Sequence, residues 1–392
     1  MPQIANNAAA GSERSVRSSA KLFLCGDVML GRGIDQVLAS PGDPHLGERF
    51  VKSATTYVEL AERVNGPIPR KVDEAYVWGD ALNELGREAP DARIVNLETS
   101  ITTSLSLAPK GINYKMNPAN IGCLAAARID CCVLANNHVL DWDEPGLVET
   151  LDTLRLAGLA YAGAGLDADE AAAPAVIELA GGGRVLVFGF ALESSGVPAS
   201  WAAGAYKPGV NLLADVSARS LKQIARSVQA IKQPGDLAVA SIHWGGNWGY
   251  QVPAEERALA HALIDVAGFD VVHGHSSHHP KPIEIHHGRL ILYGCGDFLT
   301  DYEGITGNES FRGELALMYL PRLAVPGGTL VSLELVPFQL ARFRLNRALR
   351  EDAAWLAAML ERECSFSARM WRSATTVSLS FGEAPAVGRQ WH

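Results

Sequence analysis

The sequence predicts an α/β protein whose chemistry gathers where buried strands end. Short apolar runs alternate with capped or amphipathic helical stretches along most of the chain. Several of these runs stop abruptly at polar groups: Lys21 to Cys25 at Gly26-Asp27, Arg93 to Val95 at Asn96-Leu97-Glu98, Cys131 to Ala135 at Asn136-Asn137-His138, and Leu237 to Ile242 at His243. A fifth, Phe269 to Val272, opens into His273-Gly274-His275-Ser276-Ser277-His278-His279-Pro280, and six of the chain's 11 histidines lie between His273 and His287. Open α/β sheets bind ligands outside the carboxyl ends of their strands, so residues in these positions are expected to converge.

A chain of 392 residues, 48% hydrophobic and 20% charged, is long enough for one large α/β domain with additions or for two domains. The formal net charge of -9 argues against a general nucleic-acid surface, which needs clustered Lys and Arg. Residues 1 to 20 are rich in Ala, Ser, Asn and Arg, with no apolar run for a signal peptide or a membrane span. They read as a disordered tail on a cytoplasmic protein with no membrane partner. The six cysteines sit mostly in apolar contexts rather than at framework spacings, so buried free thiols in a reducing compartment are expected. Cys131 and Cys132 are adjacent and should point to opposite faces of a strand.

The elements follow in order. After the first strand, residues 40 to 80 carry Pro, Gly and charge without a sustained period and read as an insertion with one helix, Thr55 to Val64, forming a wall of the substrate cleft. Asn117-Pro118 is an N-cap with proline at the first helical position, opening a helix to about Arg128. A helix from Pro145 to Ala157 closes at Gly158. Arg184 to Phe190 is a buried strand, and the Ser-, Pro- and Gly-rich residues 192 to 210 suggest a mobile loop near the mouth of the site. Helices are expected from Asp215 to Ile231 and from Pro253 to Ala267, the second carrying His261 in a structural or exposed place. His286-His287-Gly288-Arg289 reads as a hairpin turn, which discounts its two histidines as ligands of the convergent site. Two alternating strands, Leu315 to Leu320 and Thr329 to Leu335, and a helix from Glu351 to Glu363 follow.

Collected together, the strand-end residues are Asp27, Glu98, Asn137 with His138, His243, and His275 with His278. Carboxylate, amide and imidazole donors suit one or two divalent ions: Mn, Zn or Fe, and less specifically Mg or Ca. At this point the chain resembles the CapA family of poly-γ-glutamate capsule-synthesis proteins, which have the calcineurin-like metallophosphoesterase fold. The resemblance runs from about Leu22 to about Phe298, through Gly26-Asp27-Val28-Met29-Leu30-Gly31-Arg32, Asn96-Leu97-Glu98, Ala135 to Asp141, His243-Trp244-Gly245, Gly274 to His278 and Tyr293 to Phe298.

The resemblance implies a β-sandwich flanked by helices, four layers in the order αββα, over residues 21 to 345, with a C-terminal helical extension over 346 to 392. It implies that Asp27 and His278 hold one metal, that Glu98 bridges, and that Asn137, His243 and His275 hold the second. His138 would then be an acid/base group, and Arg32 would meet an anionic group of the substrate. The chain departs from the metallophosphoesterase pattern at Met29, which stands in place of a ligating His. It departs again at Ser276-Ser277-His278, and at Asp297, which replaces an Asn and compensates as an extra ligand or as a partner of a ligating His.

Three functions follow. The sequence favours a metal-dependent peptide epimerase that inverts a Cα centre, in line with a soluble lasso-peptide epimerase reported for this fold. His138, His275 or His279 and Asp297 would move the protons, and Trp201 and Trp244, beside Trp142 and Trp248, would line a pocket for the peptide substrate. The alternatives are a two-metal hydrolase of a phosphoester or glutamyl amide, and a non-catalytic binder of an anionic polymer.

Overall fold

The first strand, Ser19–Val28, shows how side-chain alternation builds the layers. Leu22 and Leu24 point into one apolar cluster while Phe23 and Cys25 point into another, and all four are fully buried. A strand with apolar residues on both faces must be covered on both sides, and each such side chain contributes about 1.5–3 kcal/mol on burial. The computed structural model describes residues 18–364, 369–372 and 377–380.

Among the described residues a ten-stranded sheet runs in the order Arg369–Arg372, Val377–Ser380, Leu330–Leu340, Leu315–Ala324, Ser19–Val28, Ala92–Leu97, Cys131–Val133, Ala160–Ala162. The last four strands are parallel to one another, Asp297–Leu299 adds in parallel to the end of Ser19–Val28, and Leu345–Arg347 pairs antiparallel with Leu330–Leu340. A six-stranded sheet runs Ile283–His286, Arg289–Leu292, Val271–His275, Leu237–His243, Arg184–Ala191, Ala175–Glu178, parallel except at its two edges.

Leu22, Leu24, Ile94 and Val133 of the first sheet share a cluster with Val185, Val187, Val239 and Val271 of the second, so the two sheets face each other. The outer face of the first sheet is covered by the helices Thr55–Asn65, Asp80–Glu88 and Asp143–Leu156, through Val58, Leu85 and Leu151. The outer face of the second is covered by Ala218–Ile231 and Ala254–Asp265, through Val228, Leu259 and Leu263. This is the four-layer αββα arrangement. Cys131 falls in the inter-sheet cluster and Cys132 in the outer one, as adjacent strand residues must. The six cysteines are free thiols, five of them buried.

Three elements differ from the sequence reading. The C-terminal extension is not wholly helical: the helix Arg350–Glu363 is followed by two strands, which pair beside Leu330–Leu340 and cover what would be an open sheet edge. The helix expected from Asn117 is split into a 3-10 turn, Pro118–Asn120, and a short α-helix, Gly122–Ala126, although Asn117 does cap it, accepting from the Ala119 amide at 3.0 Å. The first strand begins at Ser19, inside the expected tail, and residues 1–17 of that tail lie outside the described residues. Among the described residues no helix is long and apolar enough to cross a membrane.

Candidate metal centre

The C-terminal ends of parallel strands from both sheets meet at Asp27. Here the pairing of Ser19–Val28 is irregular: its register with Ala92–Leu97 shifts between Leu24 and Asp27, and that with Asp297–Leu299 shifts between Asp27 and Val28. Such irregularities re-aim a side chain. Gly26 permits the approach, because a Cβ there would stand 1.6 Å from the Gly296 carbonyl oxygen. The close contact sets Asp297 opposite Asp27 in the pairing. Asp27 Oδ1 accepts from Asn96 Nδ2 at 2.7 Å and Oδ2 from the Ser276 amide at 3.2 Å. Ser276 has φ 97°, a left-handed conformation that costs about 1–3 kcal/mol for a residue with a side chain. The strain presents that amide to the carboxylate.

Glu98 follows the second strand, its amide donating to the Val28 carbonyl at 3.1 Å, so it lies beside Asp27. Asp27, Glu98 and Asp297 are all buried, and among the described residues no lysine or arginine forms an ion pair with any of them. Burial, reinforced by the charge of Asp297, pushes Asp27 up to about 7. Burial and the neighbouring Asp27 push Glu98 well above the usual carboxylate range. Asp297 Oδ2 is buried without a hydrogen-bond partner. Crowded buried carboxylates with an orphaned oxygen are what a divalent cation neutralises.

The imidazoles support the same conclusion through their tautomers. His273 Nε2 lies 2.7 Å from the Cys25 carbonyl oxygen and must donate to it. Its Nδ1 therefore accepts from Ser241 Oγ at 3.0 Å, and Ser241 Oγ accepts from His275 Nε2 at 3.0 Å. That chain leaves His275 Nδ1 with a bare lone pair, 2.8 Å from His243 Nδ1. His243 Nε2 faces Asn137 Oδ1 at 3.1 Å. The two imidazoles therefore meet nitrogen to nitrogen, a contact that either one N–H between them or a shared cation satisfies. Burial also holds His243 and His275 well below the ordinary histidine range, which keeps them neutral as ligands must be. Ligand atoms of Asp27, His243 and His275 lie within 4.8 Å of one another, and so do those of Asp27, His278 and Asp297. Asp27 is common to both groups. The residues fit one or two divalent ions.

His278 donates or accepts at both ring nitrogens, toward Asp297 Oδ1 at 3.0 Å and Asn247 Nδ2 at 3.0 Å. Burial acts to lower it, but the Asp297 carboxylate prevails and raises it. Glu98 Oε1 is 3.9 Å from His243 Nε2 and 3.8 Å from His138 Nε2.

His138 stands beside these ligands with a separate support. Its Nδ1 is 2.6 Å from Asp141 Oδ2, and Asp141 Oδ1 takes Lys110 Nζ at 2.7 Å. The Tyr114 ring meets the imidazole edge-on at 4.4 Å. Burial pushes His138 down to about 4, against the pull of Asp141. On its outer side lies a cavity of about 660 Å³ lined by Lys110, Leu140, Gly196, Trp201 and Lys207. Residues 192–210 supply Gly196, Trp201 and Lys207 to this cavity, and short bridges such as Ala202 to Val210 and Gly204 to Lys207 shape them.

Three residues singled out from the sequence have other places. Arg32 is buried, with Nε and Nη2 on Asp301 at 2.9 and 2.5 Å and Nη1 on Glu48 at 2.9 Å, so it has no donor fork left for a substrate anion. Glu48, from the insertion, is one of the two carboxylates that hold Arg32. Trp244 is 1% exposed, donating to the Tyr293 carbonyl at 2.9 Å in the core beneath the second sheet's helices. His279 accepts from the Gly249 amide at 3.1 Å, bonds the Pro280 carbonyl at 3.0 Å and stacks on Phe311, which leaves neither nitrogen for proton transfer. Met29, in the position of a ligating His, receives the Tyr302 hydroxyl at 3.6 Å on its sulfur.

Asn96, Asp141, Ser241 and Lys110 escaped the sequence reading. The first two carried a signal, since Asn96 precedes Glu98 by two residues in the same motif and Asp141 follows His138 by one helical turn. Lys110 sits in a loop with no pattern to mark it.

Comparison with known proteins gives the chain's relatives. The family described as bacterial capsule synthesis protein PGA_cap matches residues 21–302. A probable polyglutamine synthesis accessory protein of Mycobacterium tuberculosis is 50% identical over 343 residues, covering 87% of this chain and 90% of the relative. The PGA biosynthesis protein CapA of Bacillus subtilis is 28% identical over 70% of this chain and 62% of its own length, and the capsule biosynthesis protein CapA of Bacillus anthracis 29% identical over 71% and 59%.

Proposed function

We propose that this chain, which belongs to the PGA_cap family of bacterial capsule synthesis proteins, is a divalent-metal-dependent enzyme that cleaves or transfers amide bonds of a glutamyl chain, with His138 as its proton-transfer group. The observation that carries the reading is the Lys110–Asp141–His138 array beside the carboxylate and imidazole cluster. The substrate class rests on the names of the relatives, a probable polyglutamine synthesis accessory protein and a PGA biosynthesis protein.

One or two divalent ions, held by ligands drawn from Asp27, Glu98, Asn137, His243, His275, His278 and Asp297, would polarise an amide carbonyl and acidify water. The chain's own residues supply the proton handling. Asp141 accepts from His138 Nδ1, which fixes the tautomer and leaves Nε2 free on the side of Glu98. Lys110 holds Asp141 in place from its other oxygen. One positioned imidazole can take a proton from water and return it to a leaving amine, which is what amide cleavage needs.

The sequence favoured Cα epimerisation, which needs proton-transfer groups on both faces of the substrate. With His279 committed to packing, that reading now rests on Asp297, whose unpartnered Oδ2 is the one observation in its favour. The test is incubation with α- and γ-linked glutamyl peptides in D₂O with Mn²⁺ or Zn²⁺. Fragments by mass spectrometry are expected. A one-unit mass gain without cleavage would establish the epimerase instead, and neither product, with metal bound, would leave polymer binding.

A further inference from the structure

A second group of histidines and carboxylates lies away from the strand ends, where the helix Ala254–Asp265 meets the hairpin of Ile283–His286 and Arg289–Leu292. We propose that His261, Glu284 and His286 form a distinct site for a borderline divalent ion of the Zn²⁺, Ni²⁺ and Cu²⁺ class. The hairpin alternation brings Glu284 and His286 to one face of the edge strand, two residues apart. His261, on the helix, completes the set, and the three ligand atoms lie within 4.8 Å of one another.

The group is built rather than incidental. The His261 and His286 rings are parallel within 8° and 3.8 Å apart, which sets both imidazoles side by side across the seam of helix and hairpin. His261 Nε2 points at Glu284 Oε1 at 2.7 Å, and His286 Nε2 at Asp265 Oδ2 at 2.9 Å. Glu284 is held from behind: Tyr293 donates to its Oε2 at 2.9 Å, and Arg257 pairs with the same oxygen. That fixes the carboxylate and leaves Oε1 turned to the imidazoles, the outer support that metal-binding carboxylates use. Asp265 also receives His287 Nδ1 at 2.9 Å, so a further carboxylate and imidazole adjoin the group. Two imidazole nitrogens with carboxylate oxygens are a donor set for a borderline ion rather than for Mg²⁺ or Ca²⁺. The site is half-buried, open enough for an ion to enter.

The ion would staple the helix to the hairpin. Copper titration of the full-length protein, followed by electron paramagnetic resonance, tests this in the Asp27→Ala/His243→Ala background, where the strand-end centre is disabled. About one equivalent of Cu²⁺ with nitrogen hyperfine structure is expected, with affinity falling at least tenfold on adding His261→Asn or His286→Asn. Should the background variant not fold, the same substitutions in the otherwise unchanged chain should lower the Cu²⁺ or Zn²⁺ stoichiometry by one. Unchanged stoichiometry and affinity in both His variants would overturn the site.

Discussion

Two buried charge clusters lie a few residues apart at the end of Ser19–Val28, and they are balanced in opposite ways. Around Arg32 the fork of Asp301, the oxygen of Glu48 and the rings of Tyr57 and Tyr114, 3.6 and 4.4 Å from the guanidinium carbon, satisfy the charge from every side. Around Asp27, three carboxylates meet without a lysine or arginine partner, one oxygen is orphaned, and two imidazoles meet nitrogen to nitrogen. Both clusters are buried, so burial alone does not mark the functional one. The closed cluster leaves no buried charge uncompensated; the open one gathers carboxylates that a divalent ion would compensate.

The largest effect expected is at the open cluster. Asp27 belongs to both ligand groups, so Asp27→Asn should reduce activity to background and remove bound metal, read by elemental analysis. In metal-free protein the same change relieves a crowded charge but gives up one acceptor, since the Asp27 oxygens take both Asn96 Nδ2 and the Ser276 amide, so the unfolding free energy from urea denaturation should move by about 1 kcal/mol or less. A loss of several kcal/mol would mean the carboxylate cluster is balanced by contacts of its own, and the contrast with Arg32 would be lost.

His138→Gln comes next. Loss of a positioned acid/base group costs about 10²–10⁴ in rate, and kcat should fall by that amount with metal stoichiometry intact. If metal is lost with the activity, His138 is a ligand and belongs to the open cluster rather than beside it.

Arg32→Ala should act on stability first. Removing one partner of a buried ion pair costs about 3–5 kcal/mol, because Asp301 and Glu48 are then left buried without their cation. Urea unfolding of the chelated protein measures it, and the loss should be several times any change at Asp27→Asn. A specific rise in KM at unchanged stability would instead return Arg32 to the substrate.

Much of this contrast was legible in the sequence, and the part that was not has a physical reason. Asp27, Glu98, Asn137, His243, His275 and His278 could be read because each ends an apolar run, and the parallel topology brings such ends together. Arg32 and His279 follow apolar or ligating residues in the same way, yet their partners Asp301, Glu48, Gly249 and Phe311 come from distant loops that no local pattern ties to them. Trp244 sits directly after a ligand, but strand alternation sends it to the opposite face of the sheet, into the core. The layers were legible from the side-chain period. The pairing of the last two strands was not, because nothing local names the edge they cover.

Trp201 gives the smallest effect and the finest discrimination. Its ring lies 5.2 Å from Lys110 Nζ, and both line the cavity on the outer side of His138. A substrate segment extending from the reacting bond would cross this wall. The wall touches no reacting atom, so its contacts are equal in ground and transition states. Trp201→Ala should therefore raise KM by roughly tenfold or less, about 1 kcal/mol, and leave kcat nearly unchanged. Trp244→Phe is the matched control: its indole donates to the Tyr293 carbonyl inside the core, so it should lower the urea midpoint without moving KM. A fall in kcat for Trp201→Ala at constant KM would show that the ring acts through Lys110 and Asp141 on His138, which would make it a positioning residue of the acid/base array.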